Sequence, residues 1–168
     1  NPLYYLYGQD LPSDSLTCKE MTVDVAIPAG AYLHFVHKYD FDAYCLGTTC
    51  SEYYDGGVVE YSTSTDGGIT WSTWNDAGSL FIANGYNATI INYAGNPNLL
   101  GGRAAFSGET LPWIESQADL STLAGKDARF RFCIGTDDVN VATFWGWVID
   151  EVLIDNCLNT SPTTTSSV

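Results

Sequence analysis

Residues 31–41, AYLHFVHKYDF, alternate between two kinds of side chain and predict a β-strand. In an extended chain the odd-numbered residues share one face and the even-numbered residues share the other. The set that we expect to face inward is Leu33, Phe35, His37, Tyr39 and Phe41. The stretch therefore predicts a strand that buries one face in a core.

The rest of the chain repeats this pattern in short β-rich runs separated by Gly, Asn, Asp and Pro, without helical periodicity. The further strands that we predict lie near 3–7, 21–27, 57–63, 69–71, 79–83, 88–93, 103–107, 128–134 and 144–154. Residues 119–126, DLSTLAGK, are compatible with one helical turn. Ten short strands at this spacing predict an all-β fold: an antiparallel β-sandwich, a jelly roll, with at most one short helical turn.

The 168 residues are enough for one domain with a two-layer core. We expect an N-terminal strand or extension over 1–19, a jelly-roll domain over 20–157 and a Ser/Thr/Pro-rich tail over 158–168. The tail, LNTSPTTTSSV, has the composition of a linker or a glycosylated stalk.

Six basic residues against twenty acidic ones give a net charge of −14. This charge repels phosphate backbones and anionic lipid, which argues against nucleic acid or a membrane surface as partner. The sequence has no apolar run long enough to span a bilayer. It starts at Asn1-Pro2 rather than Met, so we expect a secreted or cell-surface protein whose signal peptide has been removed.

The five cysteines show neither CxxC nor zinc spacing, and in a secreted chain they predict two disulfides and one free thiol. Cys45 and Cys50 enclose a short turn-like loop and predict a local bridge. Cys18 and Cys157 lie at the ends of the first and last core strands, and we expect them to pair. Cys133 lies within a strand and is predicted to be free.

Residues 58–74, VVEYSTSTDGGITWSTW, contain the S-x-D-x-G-x-x-W spacing of the Asp-box hairpin known from sialidase propellers. A sialidase needs several such boxes and an arginine cluster, whereas this chain has one box and three arginines. We therefore interpret the box as a tight turn in which Asp66 binds the backbone and Trp71 packs beneath it.

The sequence gives little evidence for other catalytic arrangements. His34 and His37 point to opposite faces of one strand and cannot share a metal ion. Cys133 has apolar neighbours, which favour an inert thiol. Asp150 and Glu151 are adjacent on a strand, so their side chains point in opposite directions. The sequence predicts that the chain is not an enzyme.

Several stretches, in this order, resemble a known module: YLHFVHKYDFDAY, YYDGGVVEYSTSTDGGITW, GRAAFSGE, DLSTLAGKDARFRFCIGTDD and GWVIDEVLI. It is the MAM-like jelly roll of bacterial secreted proteins, which also follows the protease domain in immune-inhibitor-A-type peptidases. The resemblance covers about residues 20–155. It implies a non-catalytic β-sandwich that serves adhesion, substrate docking or assembly.

Some jelly rolls of this kind hold a structural cation, which makes a structural Ca²⁺ an expected cofactor. Its candidate ligands are Asp137, Asp138 and Asp150, since carboxylates suit Ca²⁺. Solvated surface acids are the alternative interpretation of the same residues.

The leading functional hypothesis is a self-assembling structural or adhesive subunit of a cell-surface structure or filament. The candidate assembly residues occupy both faces of an N-terminal strand: Leu3, Tyr4, Tyr5, Leu6 and Tyr7. This strand either completes a neighbour's sheet by strand addition or lies in its own sandwich.

The alternative hypothesis is a carbohydrate-binding or docking module of a larger secreted enzyme, with glycans as partners. Its candidate sugar-stacking residues are Trp74, Trp113 and Trp145. Independently of function, Asn87 and Asn159 are in N-glycosylation sequons, and Thr163, Thr164 and Thr165 suit O-linked sugars.

Overall fold

A computed structural model describes residues 5–92, 98–137 and 144–156, which contain fourteen β-strands and two single-turn 3-10 helices. The strands are β1 (Leu6–Gly8), β2 (Ser15–Glu20), β3 (Val25–Ala26), β4 (Tyr32–Asp40), β5 (Ala43–Leu46), β6 (Thr49–Tyr53), β7 (Gly56–Ser64), β8 (Asn75–Asp76), β9 (Phe81–Ala83), β10 (Ala88–Thr89), β11 (Ala104–Ala105), β12 (Glu109–Asp119), β13 (Asp127–Thr136) and β14 (Gly146–Asp155). The helical turns are Gly78–Leu80 and Ser121–Leu123.

The predicted antiparallel sandwich is confirmed. One sheet, which we call the β4 sheet, has the strand order β1-β14-β4-β12-β9. The other, the β13 sheet, has the order β2-β13-β7-β8, with β3 also paired to β13. Two small hairpins, β5–β6 and β10–β11, extend from this frame. No helix in the described ranges is long and apolar enough to cross a bilayer.

The core lies between the two sheets, and β4 contributes the face that its alternation predicts. Leu33, Phe35 and His37 are completely buried, and Tyr39 and Phe41 are nearly so. The ring of Phe106 lies 6.2 Å from that of Phe35, 4.7 Å from that of His37 and 5.5 Å from that of Trp147. The first two contacts are edge-to-face and the third is tilted, and aromatic pairs of this kind stabilise a core beyond simple burial. Space beside Trp147 is so tight that a Cβ on Gly57 would lie 2.4 Å from the indole ring.

Several strands differ from the sequence-based prediction: residues 69–71 are not a strand, and β5, β6 and β8 are additional. The prediction has one strand at 21–27, whereas the structure has β2 over Ser15–Glu20 and only two residues of strand at Val25–Ala26. The prediction also omits β12, the eleven-residue strand Glu109–Asp119. Pro112 lies within β12 and removes a ladder hydrogen bond, and the register shift between Thr110 and Ile114 accommodates it.

One disulfide is confirmed and one prediction is wrong. Cys45 and Cys50 are bonded across the β5–β6 hairpin. Cys18 is bonded to Cys133, not to Cys157, because β2 and β13 are neighbours and their register places these two cysteines directly opposite each other. The sequence-based prediction paired the two cysteines at the strand ends and left Cys133 without a disulfide partner. Cys157 lies outside the described residues.

The N-terminal strand lies in its own sandwich, which is one of the two placements that the sequence left open. Leu6, Tyr7 and Gly8 pair with Ile149, Val148 and Trp147 of β14. The other proposed assembly residues are Tyr5, which is exposed, and Leu3 and Tyr4, which lie outside the described residues.

Candidate functional site

The outer face of the β4 sheet carries a band of charged and aromatic side chains. Because β4 alternates, Val36, Lys38 and Asp40 point away from the core. The register of the sheet places further outward residues beside them: Glu109 opposite Asp40, Glu115 and Asp150 on either side of Val36, and Val148 opposite Lys38. Carboxylates therefore surround one lysine on this face.

Two of the predicted sugar-stacking tryptophans meet on this face. The Nζ atom of Lys38 lies 5.0 Å from the centre of the Trp113 ring and 5.3 Å from that of Trp145. A cation over a ring face is attracted by the π-electrons, so the lysine holds both indoles in place. Both tryptophans are half-buried rather than core residues. The result is an aromatic pair on an exposed sheet face.

The third predicted tryptophan, Trp74, lies against the β13 sheet instead. Guanidinium groups approach its ring from Arg129 at 5.4 Å and from Arg131 at 4.3 Å. Arg129 also lies 4.4 Å from the centre of Trp71, and it forms an ion pair with Glu20 at 3.1 Å. The structure therefore does not bring Trp74 together with Trp113 and Trp145.

A cleft of about 510 Å³ opens beside the aromatic pair. Asp40, Glu109 and Phe144 line one part of it, and the disulfide-closed β5–β6 hairpin forms the opposite wall. Phe144 directly precedes Trp145, and the backbone N–H of Trp145 donates a hydrogen bond to the Asp40 carboxylate. The cleft thus adjoins the aromatic pair through Asp40 and Phe144, and the two tryptophans are not among the residues that line it. Its volume lies in the range of small-molecule sites in proteins, roughly 300–1,000 Å³.

Burial and the charge of Glu109 raise the pKa of Asp40, while the hydrogen bond from Trp145 lowers it. Desolvation always disfavours the charged form of a carboxyl, and a second carboxylate nearby adds repulsion. Asp40 would therefore gain from a hydrogen-bond donor or a positive charge in the cleft.

Sequence reasoning missed Lys38, Asp40 and Glu109 as site residues. The alternation of residues 31–41 already places Lys38 and Asp40 on one outward face, so this signal was present. Glu109 is different, because it reaches Asp40 through β12, a strand that the sequence-based prediction lacks.

A second polar cluster lies at the end of the sandwich where β1, β6 and β13 end. Burial raises the pKa of Asp10 to about 6 and that of Asp55 to about 9. The charges of Asp42 and Asp137 add to the rise at Asp10, and the charges of Asp10 and Asp137 add to the rise at Asp55. Asp55 is held by the backbone N–H of Asp137 at 2.7 Å and by Asn98 at 3.2 Å. The cluster therefore brings four carboxyl groups together in a poorly solvated place.

Of the predicted calcium ligands, Asp137 belongs to this cluster, and Asp150 lies on the outer face of the β4 sheet. Asp138 is outside the described residues. In the described part of the chain, no three His, Cys, Asp or Glu side chains form a group that could hold a metal ion. The Ca²⁺ prediction stays a prediction.

The two histidines lie on opposite faces, as predicted. His37 is buried, bonded to Ser116 Oγ at 2.8 Å, and its Nδ1 accepts the indole N–H of Trp147 at 3.0 Å. Burial lowers the pKa of His37 to about 3, which keeps it neutral. Ser116 is itself completely buried and donates to the Asn84 carbonyl, so this pair is part of the core hydrogen-bond network.

The Asp-box turn has the predicted structural contacts. Asp66 accepts hydrogen bonds from the backbone of Ile69 and Thr70, and Ser64 accepts one from Gly68. The Thr70 hydroxyl makes the largest contribution to lowering the pKa of Asp66 to about 2. The Trp71 indole donates to the Gly68 carbonyl, which closes the turn.

The sequons have different positions relative to the described structure. Asn87 is exposed, and its Nδ2 donates to the Ser107 carbonyl at 2.8 Å. Asn159 and Thr163–Thr165 lie outside the described residues. Glycosylation of any of these residues stays a prediction.

No protein-family model matches the chain, and no curated protein sequence matches it significantly.

Proposed function

We propose that this chain is a secreted, non-catalytic adhesion or docking module that binds carbohydrate on the outer face of the β4 sheet. The observation that carries the proposal is the pairing of Trp113 and Trp145 around Lys38, beside an open cleft. Sugar rings have apolar C–H faces that pack on aromatic rings, and their hydroxyls bind carboxylates and ammonium groups. This face offers both kinds of contact.

The protein's redox chemistry supports the extracellular setting. Two disulfides in one small domain are typical of oxidising compartments. The resemblance to the MAM-like module leads to the same class of function by a separate argument.

The test is a pull-down of the purified protein on insoluble cellulose, chitin and mannan. We expect binding to at least one of these, and a loss of affinity of roughly tenfold or more in Trp113→Ala and in Trp145→Ala, since each removes a stacking surface. Ile82→Ala is the matched control, because Ile82 is exposed on β9 at the edge of the same sheet. Binding that survives both tryptophan changes would contradict the proposal, as would failure to bind both these polymers and an oligomer of glucosamine.

A second candidate is self-assembly, which the sequence favours and one structural feature supports. The β1 strand ends the order of the β4 sheet, and Tyr5, Tyr7 and Leu16 are exposed beside it. Leu6, Phe132 and Trp147 line a small apolar cavity of about 30 Å³ at the same edge. An exposed, apolar strand edge favours pairing with another chain.

Light scattering and negative-stain microscopy test this second candidate. We expect oligomers or filaments of the wild-type protein that Tyr7→Lys disperses, because a charge at a strand edge opposes pairing. Tyr44→Lys, at an exposed position on the β5–β6 hairpin, is the control. A monomeric wild-type protein at all concentrations would rule out assembly through this edge.

A further inference from the structure

The charge of the aromatic face indicates which sugars it accepts, provided that the proposed carbohydrate site exists. Asp40 and Glu109 are opposite each other at the cleft, and Glu115 and Asp150 lie on either side of Val36. These positions are one outward step along β4 from Lys38, or about 7 Å. That spacing is within the screening length of physiological salt, about 8 Å.

The positive charge on this face is already engaged. The Lys38 ammonium lies over both tryptophan rings, where the cation–π attraction holds it. Arg129 and Arg131 lie on β13, and Arg103 lies just before β11; their ion-pair partners, Glu20, Glu60 and Asp76, are all on the other sheet. The face therefore presents Asp40, Glu109 and Asp150 around a single lysine to an incoming ligand, while Glu115 is bonded to the buried His34 at 3.2 Å.

An anionic sugar such as a uronic acid would meet repulsion from these carboxylates. A neutral sugar would gain only stacking and ordinary hydrogen bonds. A sugar with an ammonium group would add charge-assisted hydrogen bonds, which are about twice as strong as neutral ones. Such a charge in the cleft would also relieve the repulsion between Asp40 and Glu109.

We propose that the site selects amino sugars: the ammonium group of a glucosamine residue binds Asp40 and Glu109 in the cleft, while neighbouring sugar rings stack on Trp113 and Trp145. The hairpin wall closed by Cys45–Cys50 then limits the depth of the cleft behind the ammonium group. The aromatic pair supplies affinity for the sugar rings, and the two carboxylates supply the preference among sugars.

Calorimetric titration with tetramers of glucosamine, N-acetylglucosamine and galacturonic acid tests this selection, in a mildly acidic buffer in which the amine is charged. We expect glucosamine to bind best and galacturonic acid to bind worst. The isosteric double variant Asp40→Asn/Glu109→Gln should lower glucosamine affinity by about tenfold and leave N-acetylglucosamine affinity unchanged. The variant Asp14→Asn/Asp24→Asn removes two exposed charges near the other sheet and should change neither affinity.

The outcomes distinguish a failure of the amino-sugar preference from a failure of the carbohydrate site itself. If all three tetramers bind equally, and Trp145→Ala weakens all of them, the carbohydrate site stands and the selection of amino sugars is overturned. If none binds, the selection is overturned together with its premise. A lysine tetramer that binds more tightly than the glucosamine tetramer would overturn the selection in favour of a basic peptide. Melting curves confirm that each variant is folded.

Discussion

At the scale of single residues, the same physical effect acts at two places. Burial raises the pKa of Asp40 beside the tryptophans and of Asp10, Asp42 and Asp55 at the end of the sandwich. In a chain with a net charge of −14, few cations are available to relieve such sites. The unfavourable charge of these buried carboxylates is therefore relieved by protonation or by an external cation.

Above about pH 7, where the neutral His37 no longer adds a pH dependence of opposite sign, stability should consequently fall as the pH rises in metal-free buffer. The folded state of Asp10 and Asp55 binds protons more tightly than the unfolded state, whose carboxyls have a pKa near 3.8. Their stabilising contribution is therefore complete below pH 3.8 and is lost as the pH rises through about 6 and about 9. Urea unfolding across this range measures the slope, and Asp10→Asn should flatten it. Stability that rises between pH 7 and pH 9 would contradict the account.

A separate prediction concerns the Ca²⁺ site that was expected from the sequence. If Ca²⁺ binds the folded chain, millimolar CaCl₂ should raise the melting temperature at neutral pH, since a ligand of the native state stabilises it. Asp137→Asn should remove the increase, because it takes one carboxylate from the cluster. MgCl₂ at equal concentration is the control for ionic strength. An unchanged melting temperature would exclude a Ca²⁺ site of useful affinity.

Core packing gives a further prediction at this scale. Gly57→Ala places a methyl group 2.4 Å from the Trp147 ring, so the core must shift to accept it. We expect a loss of about 1–3 kcal/mol in the free energy of unfolding, which denaturant titration measures. Ser79→Ala, at an exposed position, should cost less than about 0.5 kcal/mol. Equal effects of the two changes would show that Trp147 is not tightly packed.

At the scale of elements, the sequence predicted the structure wherever the pattern that defines an element lies within that element. The inward face of β4 could be read directly from residues 31–41, and so could the Cys45–Cys50 hairpin. Contacts between distant strands could not be predicted in this way. The Cys18–Cys133 bond depends on the register between β2 and β13. The cleft depends on β12, and because Pro112 lies within this strand, the sequence pattern did not predict it.

The disulfide correction is tested by mapping peptides without reduction. We expect one linked pair that contains Cys18 and Cys133, and a second that contains Cys45 and Cys50. The long loop closed by Cys18–Cys133 should contribute about 4–5 kcal/mol in the chain-entropy model. The Cys18→Ala/Cys133→Ala variant measures this contribution. A peptide that links Cys18 to Cys157 would contradict the observed pairing.

The N-terminal strand gives the other prediction at this scale. Because β1 pairs with β14 over three residues, deletion of residues 1–8 should uncover Trp147 and Ile149 and lower stability by roughly 2–4 kcal/mol. Denaturant unfolding and light scattering are measured together. A truncated protein of unchanged stability that loses only its ability to oligomerise would show that the strand acts in a neighbouring molecule.

At the scale of the whole molecule, the outer faces of the two sheets differ in what their side chains contact. The outer face of the β13 sheet is covered by arginine–tryptophan contacts and ion pairs, which stabilise it. The outer face of the β4 sheet keeps an aromatic pair, a cleft and several carboxylates accessible. The central claim is that this second face binds carbohydrate.

The most direct test uses the indole N–H signals of the five tryptophans in a ¹⁵N NMR spectrum. The protein is titrated with the glucosamine tetramer or the N-acetylglucosamine tetramer, whichever binds more tightly. We predict that the signals of Trp113 and Trp145 shift with the titration, while those of Trp71, Trp74 and Trp147 do not. Shifts confined to Trp71 and Trp74, or no shift in any indole signal, would contradict the claim.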